Sequence, residues 1–422
     1  MTLPLSLQLY RALIWLASPL SGWLLSRRAG RGKEDPDRIG ERFGYSSAIR
    51  PQGKLLWLHG ASVGESLMLL ELVRQLSDLK GLNFLVTTGT TTSASLMRDQ
   101  LPECARHQYI PVDRLAPVKR FLDHWRPDAA VFVESELWPN LLLEMQKRNL
   151  PAALVNARMN EGSLASWRKR PEAARRLLAT FRWIGAADDR TAKGLRVLTG
   201  RAIPRIGNLK LQITAPTPDH AQMATIQAAI GARPVWLAAS THAGEEEILI
   251  NAHKEHLAAR PDAILILAPR HPERGDHVSH LIADAGLTSA RRSRGEVPDP
   301  AIQVWLADTL GEMTCWYAAA DQAFIGGSLK PGIGGHNPIE ATRSGCPVMT
   351  GKYTASFDDV FATYQANAGV VVVNTAQDIL GALASPTRDR LDGANRALQE
   401  LTGDAMGETL TAIQSLLHED QR

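Results

Sequence analysis

The sequence contains few cysteines and none of the residue spacings that bind a metal ion. Its three cysteines, Cys104, Cys315 and Cys346, are an odd number without a C-x-x-C pair. A disulfide framework and a zinc site are therefore disfavoured, and a reducing compartment fits better. The sequence also lacks H-E-x-x-H and has no D-x-D between a strand and a helix. We therefore expect neither a metal ion nor another cofactor.

The sequence signatures of two common nucleotide-binding classes are also missing, and the net charge is small. There is no G-x-x-x-x-G-K-[ST] and no G-x-G-x-x-G. These absences disfavour a P-loop NTPase and a standard dinucleotide-binding fold. The 47 basic and 44 acidic residues give a net charge of only +3. That excess is too small to indicate a nucleic-acid partner.

The N-terminal segment is the most apolar part of the chain. Residues 3–25 are mostly apolar and could span a bilayer, although Arg11 in their middle would cost about 2.5–3.5 kcal/mol there. Alternatively, a helix with Gln8 and Arg11 towards water would lie on the membrane surface. Four basic residues follow at once: Arg27, Arg28, Arg31 and Lys33. We therefore predict a membrane anchor over residues 1–33, on the cytoplasmic side of the inner membrane.

The remainder of the chain has the pattern of two α/β domains. Short apolar runs such as KLLWLHG (54–60) and RPVWLAAST (233–241) alternate with helical patterns. This alternation predicts parallel sheets with helices on both faces. The stretch KLQITAPTPD (210–219) has the composition of a linker. We therefore predict an N-terminal domain over residues 34–212 and a C-terminal domain over residues 213–422, each with a Rossmann-like sheet.

Candidate catalytic residues of the first domain follow predicted strands, where parallel sheets bind ligands. Glu65, in HGASVGES, falls in the first turn of a helix. It could complement the helix dipole, worth about 0.3–1 kcal/mol, or remove a proton from a hydroxyl group. Glu134 and Glu136 flank Ser135 after an apolar strand, so that both carboxylates could face one site. Lys210, in GNLK, could be a solvated surface residue or could neutralise an anion.

The second domain carries loops suited to anions. ASTHAGEEE (239–247) can be a plain helix cap or an anion-binding turn, and LAPRHPER (267–274) is densely cationic. The run GGSLKPGIGGHNPIEA (326–341) has five glycines between Gly326 and Gly335, and Glu340 follows on an opening helix. Such a loop is typical of phosphate binding, with Glu340 placed to accept from ribose hydroxyls.

Eight motifs in order resemble those of the 3-deoxy-D-manno-octulosonic acid (Kdo) transferases of lipopolysaccharide assembly. They are RFGY, HGASVGE, VESELWPN, NAR, GNLK, AASTHAGEE, APRHPER and GGSLKPGIGGHNPIEA. The resemblance covers nearly the whole chain. It implies a GT-B fold, two Rossmann-like domains facing across a cleft, that needs no metal. It also implies CMP-Kdo as the donor, lipid IVA as the acceptor, and inversion at the anomeric carbon.

The resemblance also assigns roles to residues. It makes Glu65 the catalytic base, and Glu134, Glu136 and Lys210 helpers of the transition state. The residues expected to contact CMP are Pro269, Arg270, Leu310, Gly311, Glu312, Met313, Asn337, Pro338, Ile339 and Glu340. The alternatives are another GT-B nucleotide-sugar transferase, a sugar-nucleotide epimerase, and a membrane-tethered nucleotide-binding protein without catalysis. No motif sets the number of Kdo residues transferred, the oligomeric state, or which of Glu134 and Glu136 acts directly.

Overall fold

The computed structural model describes residues 3–212 and 218–418. Of these, residues 3–212 and 402–418 form one compact unit, called unit 1. Residues 218–401 form a second compact unit, called unit 2.

Unit 1 is built on a six-stranded parallel sheet in the order β3-β2-β1-β4-β5-β6. Its strands are β1 (Lys54–His59), β2 (Leu82–Thr88), β3 (Ala105–Tyr109), β4 (Ala129–Val133), β5 (Ala152–Ala157) and β6 (Phe181–Ala186). The central strands are buried almost throughout, because helices cover both faces of the sheet. The strand order reverses between β1 and β4, and this reversal opens a crevice at their carboxyl ends.

Three helices of unit 1 precede β1, and from β1 onwards helices alternate with strands, except that two helices follow β5. The helices are α1 (Leu5–Leu16), α2 (Leu20–Ala29), α3 (Ile39–Arg42), α4 (Val63–Leu76), α5 (Thr91–Gln100), α6 (Leu115–Trp125), α7 (Pro139–Lys147), α8 (Glu161–Arg168), α9 (Pro171–Leu178) and α10 (Asp189–Thr199). The RFGY element lies at the end of α3, where the Arg42 guanidinium pairs with Glu34 and donates to the carbonyl oxygens of Gly89 and Ile110. RFGY therefore ties the N-terminal segment to the sheet.

Unit 2 contains a seven-stranded parallel sheet in the order β13-β12-β11-β7-β8-β10-β9. Its strands are β7 (Val235–Thr241), β8 (Ile264–Pro269), β9 (Ser289–Arg291), β10 (Val304–Leu306), β11 (Gln322–Ile325), β12 (Val348–Thr350) and β13 (Val370–Val372). Its helices are α11 (His220–Ile230), α12 (Glu246–Ala259), α13 (Gly275–Asp284), α14 (Met313–Ala319), α15 (Ile339–Arg343), α16 (Asp358–Ala366), α17 (Ala376–Ala384) and α18 (Arg388–Thr402). The crevice of this sheet lies at the carboxyl ends of β7 and β11, where the order reverses.

The last helix does not belong to the C-terminal domain, which was expected to run from residue 213 to residue 422. Helix α19 (Ala405–His418) belongs to unit 1, where Ile413 and Leu416 are buried against the sheet. The Lys54 Nζ atom also donates to the Leu417 carbonyl oxygen at 2.5 Å. An amphipathic helix covers whichever apolar sheet face it can reach, and its position in the sequence does not specify that face.

The N-terminal segment forms two short helices and no continuous one. Ser18 and Pro19 separate α1 from α2, since a proline lacks the N–H that would continue a helix and disfavours helical geometry in the residue before it. Leu7 and Leu25 are buried, whereas most of the other apolar side chains are exposed: Leu5, Leu9, Leu13, Trp15, Leu16, Leu20, Trp23 and Leu24. In the part of the chain that the structure describes, no helix is both long and apolar enough to cross a membrane.

Candidate active site

Glu65 lies in the first turn of α4, directly after the loop that follows β1. Its side chain is only 6% exposed. Its Oε2 accepts a hydrogen bond from the Ala61 N–H at 2.7 Å, and its Oε1 accepts one from the Ser62 hydroxyl at 2.5 Å. These contacts are those of a helix cap, and each oxygen keeps a second lone pair that can accept a proton from a substrate.

Glu134 and Lys210 form an ion pair at the carboxyl end of β4. Glu134 has φ of 62°, a left-handed conformation that is uncommon for a residue other than glycine and costs roughly 1–3 kcal/mol. The Lys210 side chain also packs against the first turn of α4: a Cβ atom added at Gly64 would be 3.4 Å from the Lys210 Cε atom. Lys210 therefore connects the end of β4 with the turn that carries Glu65.

The position of Lys210 depends on Asn156, a residue that the sequence analysis did not single out. Asn156 is fully buried at the end of β5, and its Oδ1 accepts from the Leu209 N–H at 2.8 Å. Asn208 Oδ1 accepts in turn from the Lys210 N–H at 3.1 Å. The NAR and GNLK motifs are therefore two halves of one structure that holds Lys210.

Glu136 faces a buried histidine that was also missed, His59, which is the first residue of HGASVGES. His59 Nδ1 lies 3.1 Å from the Thr87 carbonyl oxygen, so Nδ1 carries a hydrogen. His59 Nε2 lies 3.6 Å from Glu136 Oε2, beyond hydrogen-bonding distance. The Trp138 Nε1–H donates to the same oxygen at 2.6 Å. Burial raises the pKa of Glu136, but His59 and Trp138 outweigh it and hold that pKa below its usual range.

The four predicted catalytic residues thus lie at one edge of the sheet in unit 1. Glu65 follows β1, Glu134 and Glu136 follow β4, and Lys210 contacts both regions. The sequence had left open which of the two glutamates acts directly. In the structure they have different neighbours, the Lys210 ammonium group for Glu134 and the His59 ring for Glu136. The edge can therefore accept a proton while it presents a positive charge to an anion.

In unit 2, part of the glycine-rich loop is occupied by the protein itself. The Glu245 carboxylate is fully buried and accepts from the N–H groups of Gly327, Ser328 and Leu329 at 2.8–2.9 Å. It also accepts from the His242 N–H at 3.0 Å. The expectation that this loop cradles a phosphate therefore does not apply to its first turn, whose donors are already satisfied.

The cationic loop after β8 is divided into a tied residue and a free one. Arg274 is paired at 2.6 Å with Glu246, a fully buried carboxylate. Arg270 is exposed, and no carboxylate of the described residues pairs with its guanidinium. Burial, the ring of His242 and the charge of Arg270 lower the pKa of His336, in that order. The His242 and His336 Nε2 atoms are 2.8 Å apart, so one ring donates a hydrogen bond to the other.

The two remaining predicted loops of unit 2 are linked to each other. Leu310 and Gly311 precede α14, and Leu310 is 77% exposed. Glu312 is buried and pairs with Arg292 at 2.6 Å. The Thr314 hydroxyl of α14 donates to Glu340 Oε1 at 2.8 Å, which joins the two loops. The full set of predicted nucleotide-binding residues is Pro269, Arg270, Leu310, Gly311, Glu312, Met313, Asn337, Pro338, Ile339 and Glu340.

These residues lie at the end of a strand of unit 2, in the loops between its strands and helices, or in the first turn of a helix. Asn337 Oδ1 accepts from the Ile339 N–H at 3.1 Å and shapes the turn into α15. Gly326 follows β11, and a Cβ atom there would lie 2.3 Å from the Ser240 carbonyl oxygen. Only glycine allows this close approach of the strand ends. Over residues 3–212 and 218–418, no group of three or more side chains suited to a metal ion was found.

Comparisons with known proteins agree over most of the chain. Residues 37–213 match a family model described as 3-deoxy-D-manno-octulosonic-acid transferase (kdotransferase). The chain is 36% identical to the 3-deoxy-D-manno-octulosonic acid transferase of Bordetella pertussis, with 96% of each chain covered. It is 33% identical to the enzyme of the same name from Haemophilus influenzae, with 88% of each covered.

Solved structures show the same fold at lower identity. The UDP-GlcNAc 2-epimerase of Neisseria meningitidis bound to UDP-GlcNAc aligns with a TM-score of 0.57 and 15% identity, over 86% of this chain and 99% of the epimerase. A glycosyltransferase of Rickettsia africae aligns with a TM-score of 0.55 and 13% identity, over 87% of this chain and 100% of that one. At these identities the likeness concerns the fold alone. The fold is of the GT-B type, with two α/β units that each contain a parallel sheet.

Proposed function

The chain belongs to the family of the 3-deoxy-D-manno-octulosonic acid transferases, and we propose that it transfers Kdo from CMP-Kdo to a hydroxyl group of lipid IVA. The acceptor oxygen attacks the anomeric carbon of Kdo while the bond from that carbon to the CMP phosphate oxygen breaks. CMP leaves with the electron pair, and the attack from the opposite side inverts the anomeric configuration. No covalent intermediate with the enzyme forms.

Glu65 acts as the base in this displacement. A sugar hydroxyl has a pKa far above 7, so its oxygen attacks well only if the proton is removed during the reaction. The Glu65 carboxylate is anchored by Ala61 and Ser62, which fix its direction without using all of its lone pairs. Such anchoring keeps a base in its reactive position before the substrate arrives.

Lys210 neutralises negative charge at the reacting centre. The Kdo carboxylate and the CMP phosphate are both anions, and the charge on the phosphate grows as CMP leaves. Lys210 is held by Glu134 and by the Asn156–Leu209 contact, so its ammonium group is in place beforehand. Glu136 supports the same edge through its carboxylate, which the neighbouring groups keep ionised at neutral pH.

Unit 2 binds the CMP portion of the donor. Arg270 is exposed and unpaired among the described residues, so that its guanidinium can bind a phosphate oxygen. The loops before α14 and α15 supply backbone groups, and Glu340 can accept from ribose hydroxyls. No metal ion is needed in this proposal, since Lys210 and Arg270 provide the positive charge.

The N-terminal helices attach the enzyme to the cytoplasmic face of the inner membrane. Large apolar side chains of α1 and α2 are exposed, among them Leu9, Leu13 and Trp15. The basic residues that follow, Arg27 and Arg28 among them, would lie near anionic headgroups. The arrangement fits helices that lie in the interface, since an exposed apolar face beside basic residues is the pattern of an interfacial anchor.

The observation on which the proposal depends most is the set of glutamates and Lys210 at one sheet edge in a chain of this family. The test is to incubate the purified protein with CMP-Kdo and lipid IVA in detergent and to analyse the lipid by mass spectrometry. We expect a mass gain of one or more Kdo residues with equimolar release of CMP. UDP-GlcNAc in place of CMP-Kdo should give no product. Turnover of the UDP-sugar without glycolipid product would instead favour an epimerase.

A further inference from the structure

A cavity of about 560 Å³ lies in unit 1 between α1, the start of α6 and the start of α7. This volume is within the roughly 300–1,000 Å³ range of sites that bind small molecules. No residue expected to act on the donor lines it. Its walls combine three cationic side chains with an apolar surface and one buried amide: Arg11, Arg114, Lys119, Ile14, Trp15 and Asn140.

The three cations are free to bind an anion. Arg114 donates to the hydroxyl oxygens of Ser18 and Ser21 at 2.7 and 2.8 Å, which direct its guanidinium without neutralising it. Among the described residues, Arg11, Arg114 and Lys119 form no salt bridge with a carboxylate. Arg11 interacts through its charge with Asp113, and Lys119 with Glu144, without forming an ion pair. Three cations without an ion-pair partner around one cavity are suited to a phosphate group, and the fork of an arginine matches its oxygens.

The nearest carboxylate is used elsewhere. Asp113 accepts from the Tyr10 hydroxyl at 2.8 Å and from the N–H groups of Asn140 and Leu141 at 3.0 and 2.8 Å. Burial raises the pKa of Asp113, and these bonds and the charge of Arg11 oppose the effect. Asp113 thus holds α1 and α7 together. Its single negative charge is smaller than the three positive charges of Arg11, Arg114 and Lys119, so the cavity keeps a net positive charge.

Asn140 provides an independent indication of a ligand. It is 3% exposed, and its Nδ2 donates to the Asp113 carbonyl oxygen at 2.7 Å. Its Oδ1 has no hydrogen-bond partner among the described residues, although buried acceptors are nearly always paired. Since Asn140 lines the cavity, a hydroxyl or amide N–H of a ligand would satisfy this oxygen. The WPN of the VESELWPN motif is thereby accounted for, because helix capping alone does not involve Asn140 Oδ1.

The apolar part of the cavity continues into an exposed surface. Trp15 lines the cavity and is itself largely exposed. On the outer face of α1, one helical stripe of leucines is exposed: Leu5, Leu9, Leu13 and Leu16. A ligand with a phosphorylated polar head and apolar chains therefore matches both parts of the site.

The location of the cavity relates it to the proposed reaction. Asn140 follows Glu136 by four residues, in the first turn of α7 after β4, and α6 follows β3. The cavity thus lies at the same sheet edge as Glu134 and Glu136. We propose that it binds the phosphorylated sugar head of a membrane glycolipid, with Arg11, Arg114 and Lys119 on the phosphate and Asn140 Oδ1 on a hydroxyl or amide. This inference rests on the proposed function, since it supplies the acceptor's binding site.

The test compares a phosphorylated glycolipid acceptor with its dephosphorylated analogue, both in detergent micelles. For wild type we expect a lower KM for the phosphorylated acceptor. Arg114→Gln should raise that KM about tenfold, as expected for a lost charge-assisted hydrogen bond. The KM for CMP-Kdo and the KM for the dephosphorylated acceptor should stay within about twofold, because neither involves the phosphate contact.

Two further variants control for folding and for general charge. Lys119 is exposed and has no bonded partner among the described residues, so Lys119→Gln should fold normally and still raise the acceptor KM about threefold. Arg98→Gln removes one positive charge from α5, outside the cavity lining, and should leave the acceptor KM unchanged. If Arg114→Gln and Lys119→Gln kept the wild-type preference for the phosphorylated acceptor, the proposed site would be wrong.

Calorimetric titration separates this inference from the proposed function. Wild type should bind micelles of the phosphorylated glycolipid more tightly than those of the dephosphorylated one, and Arg114→Gln should lose the difference. If wild type showed this preference but transferred no Kdo, the binding site would be supported and the proposed reaction would be wrong. If it transferred Kdo without the preference, the reaction would be supported and the proposed site would be wrong. Inorganic phosphate alone should bind much more weakly, and equal affinity for it would overturn the glycolipid assignment.

Discussion

The two units place carboxylates at the same point of their sheets and use them in opposite ways. In unit 1, Glu134 and Glu136 retain 21% and 19% of their side-chain surface, and each faces one basic side chain, Lys210 or His59. In unit 2, Glu245 and Glu246 are fully buried and are saturated by backbone N–H groups and by Arg274. The carboxylates of unit 1 remain available for chemistry, whereas those of unit 2 hold loops in place. The burial and partners of a glutamate, and not its place after a strand, separate the two uses.

Glu65 tests this comparison most severely, because it has features of both groups. It is buried and hydrogen-bonded like Glu245, yet we assign it the catalytic proton transfer. Glu65→Gln keeps the size of the side chain and removes its basicity, so kcat should fall about 10³-fold. The measurement is the rate of CMP release with saturating CMP-Kdo and lipid IVA.

The control for Glu65→Gln is binding of CMP, which should match wild type because unit 2 is unchanged. The thermal midpoint should also change little, since the glutamine oxygen can accept from the Ala61 N–H while its NH2 group donates to the Ser62 hydroxyl. A wild-type kcat would make Glu65 a helix cap like the carboxylates of unit 2, and would remove it from the mechanism.

Glu245 is the corresponding test in unit 2. Glu245→Ala would leave four backbone N–H groups without an acceptor, three of them buried, and we expect unit 2 to lose roughly 3 kcal/mol of unfolding free energy. Urea unfolding, followed by hydrogen exchange of β7 and β11, measures this loss. Glu247→Ala, at an exposed position of the same helix, should change the unfolding free energy little. Equal stability of the two variants would contradict the structural role of Glu245.

Acid sensitivity should be shared by the units, since each contains a histidine whose pKa is lowered in the folded chain. Burial, with smaller effects from neighbours, lowers the pKa of His253 in unit 2 to about 4 and that of His107 in unit 1 to about 3. The unfolded chain binds a proton at these residues below about pH 6.5, and the folded chain does not. Stability is therefore full above pH 6.5 and decreases as the pH falls, by roughly 2 kcal/mol per histidine at pH 5.

His253→Gln and His107→Gln measure this contribution. Each variant should show a smaller loss of urea-unfolding free energy between pH 7 and pH 5 than wild type. The loss is smaller because glutamine, unlike histidine, does not bind a proton when the chain unfolds. A pH dependence that only one variant flattened would show that the two units differ in acid sensitivity, against the expectation.

The sequence predicted most of the fold because strand and helix patterns are local. The runs KLLWLHG and RPVWLAAST are strands in the structure, and the residues expected at their carboxyl ends are there. The prediction failed where a long-range contact decides. Helix α19 crosses back to unit 1, since its amphipathic pattern does not record which sheet it covers. The N-terminal segment is broken at Pro19, a local signal that could have been used.

The candidate site was predicted in its residue types but not in its partners. Glu65, Glu134, Glu136 and Lys210 stood out because charged residues beside buried strands are unusual. His59 and Asn156 did not, because a histidine or an asparagine at the end of a buried strand has no distinctive pattern. Glu245 looked like an ordinary first-turn acid, and only the fold brings the loop at Gly327 onto its carboxylate. Sequence shows which residues are costly to bury, and the fold shows what satisfies them.

Arg270 and Arg274 give the smallest and most specific test, since they lie in one loop of unit 2 and differ in their partners. Arg270→Ala should raise the KM for CMP-Kdo about tenfold, because a free guanidinium that binds phosphate contributes about one charge-assisted hydrogen bond. Its thermal midpoint should equal that of wild type. Initial rates at varied CMP-Kdo concentration measure the KM.

Arg274→Ala is the matched variant and should behave in the opposite way. It leaves the buried Glu246 carboxylate unpaired, so it should lower the thermal midpoint, while the KM for CMP-Kdo of the folded fraction stays near wild type. If Arg270→Ala were the destabilised variant and Arg274→Ala the one with the raised KM, the loop would bind the donor through its tied residue. The contrast between free and saturated groups at the sheet edge would then not identify ligand contacts in unit 2, because a group already bonded within the protein would be the one that meets the phosphate.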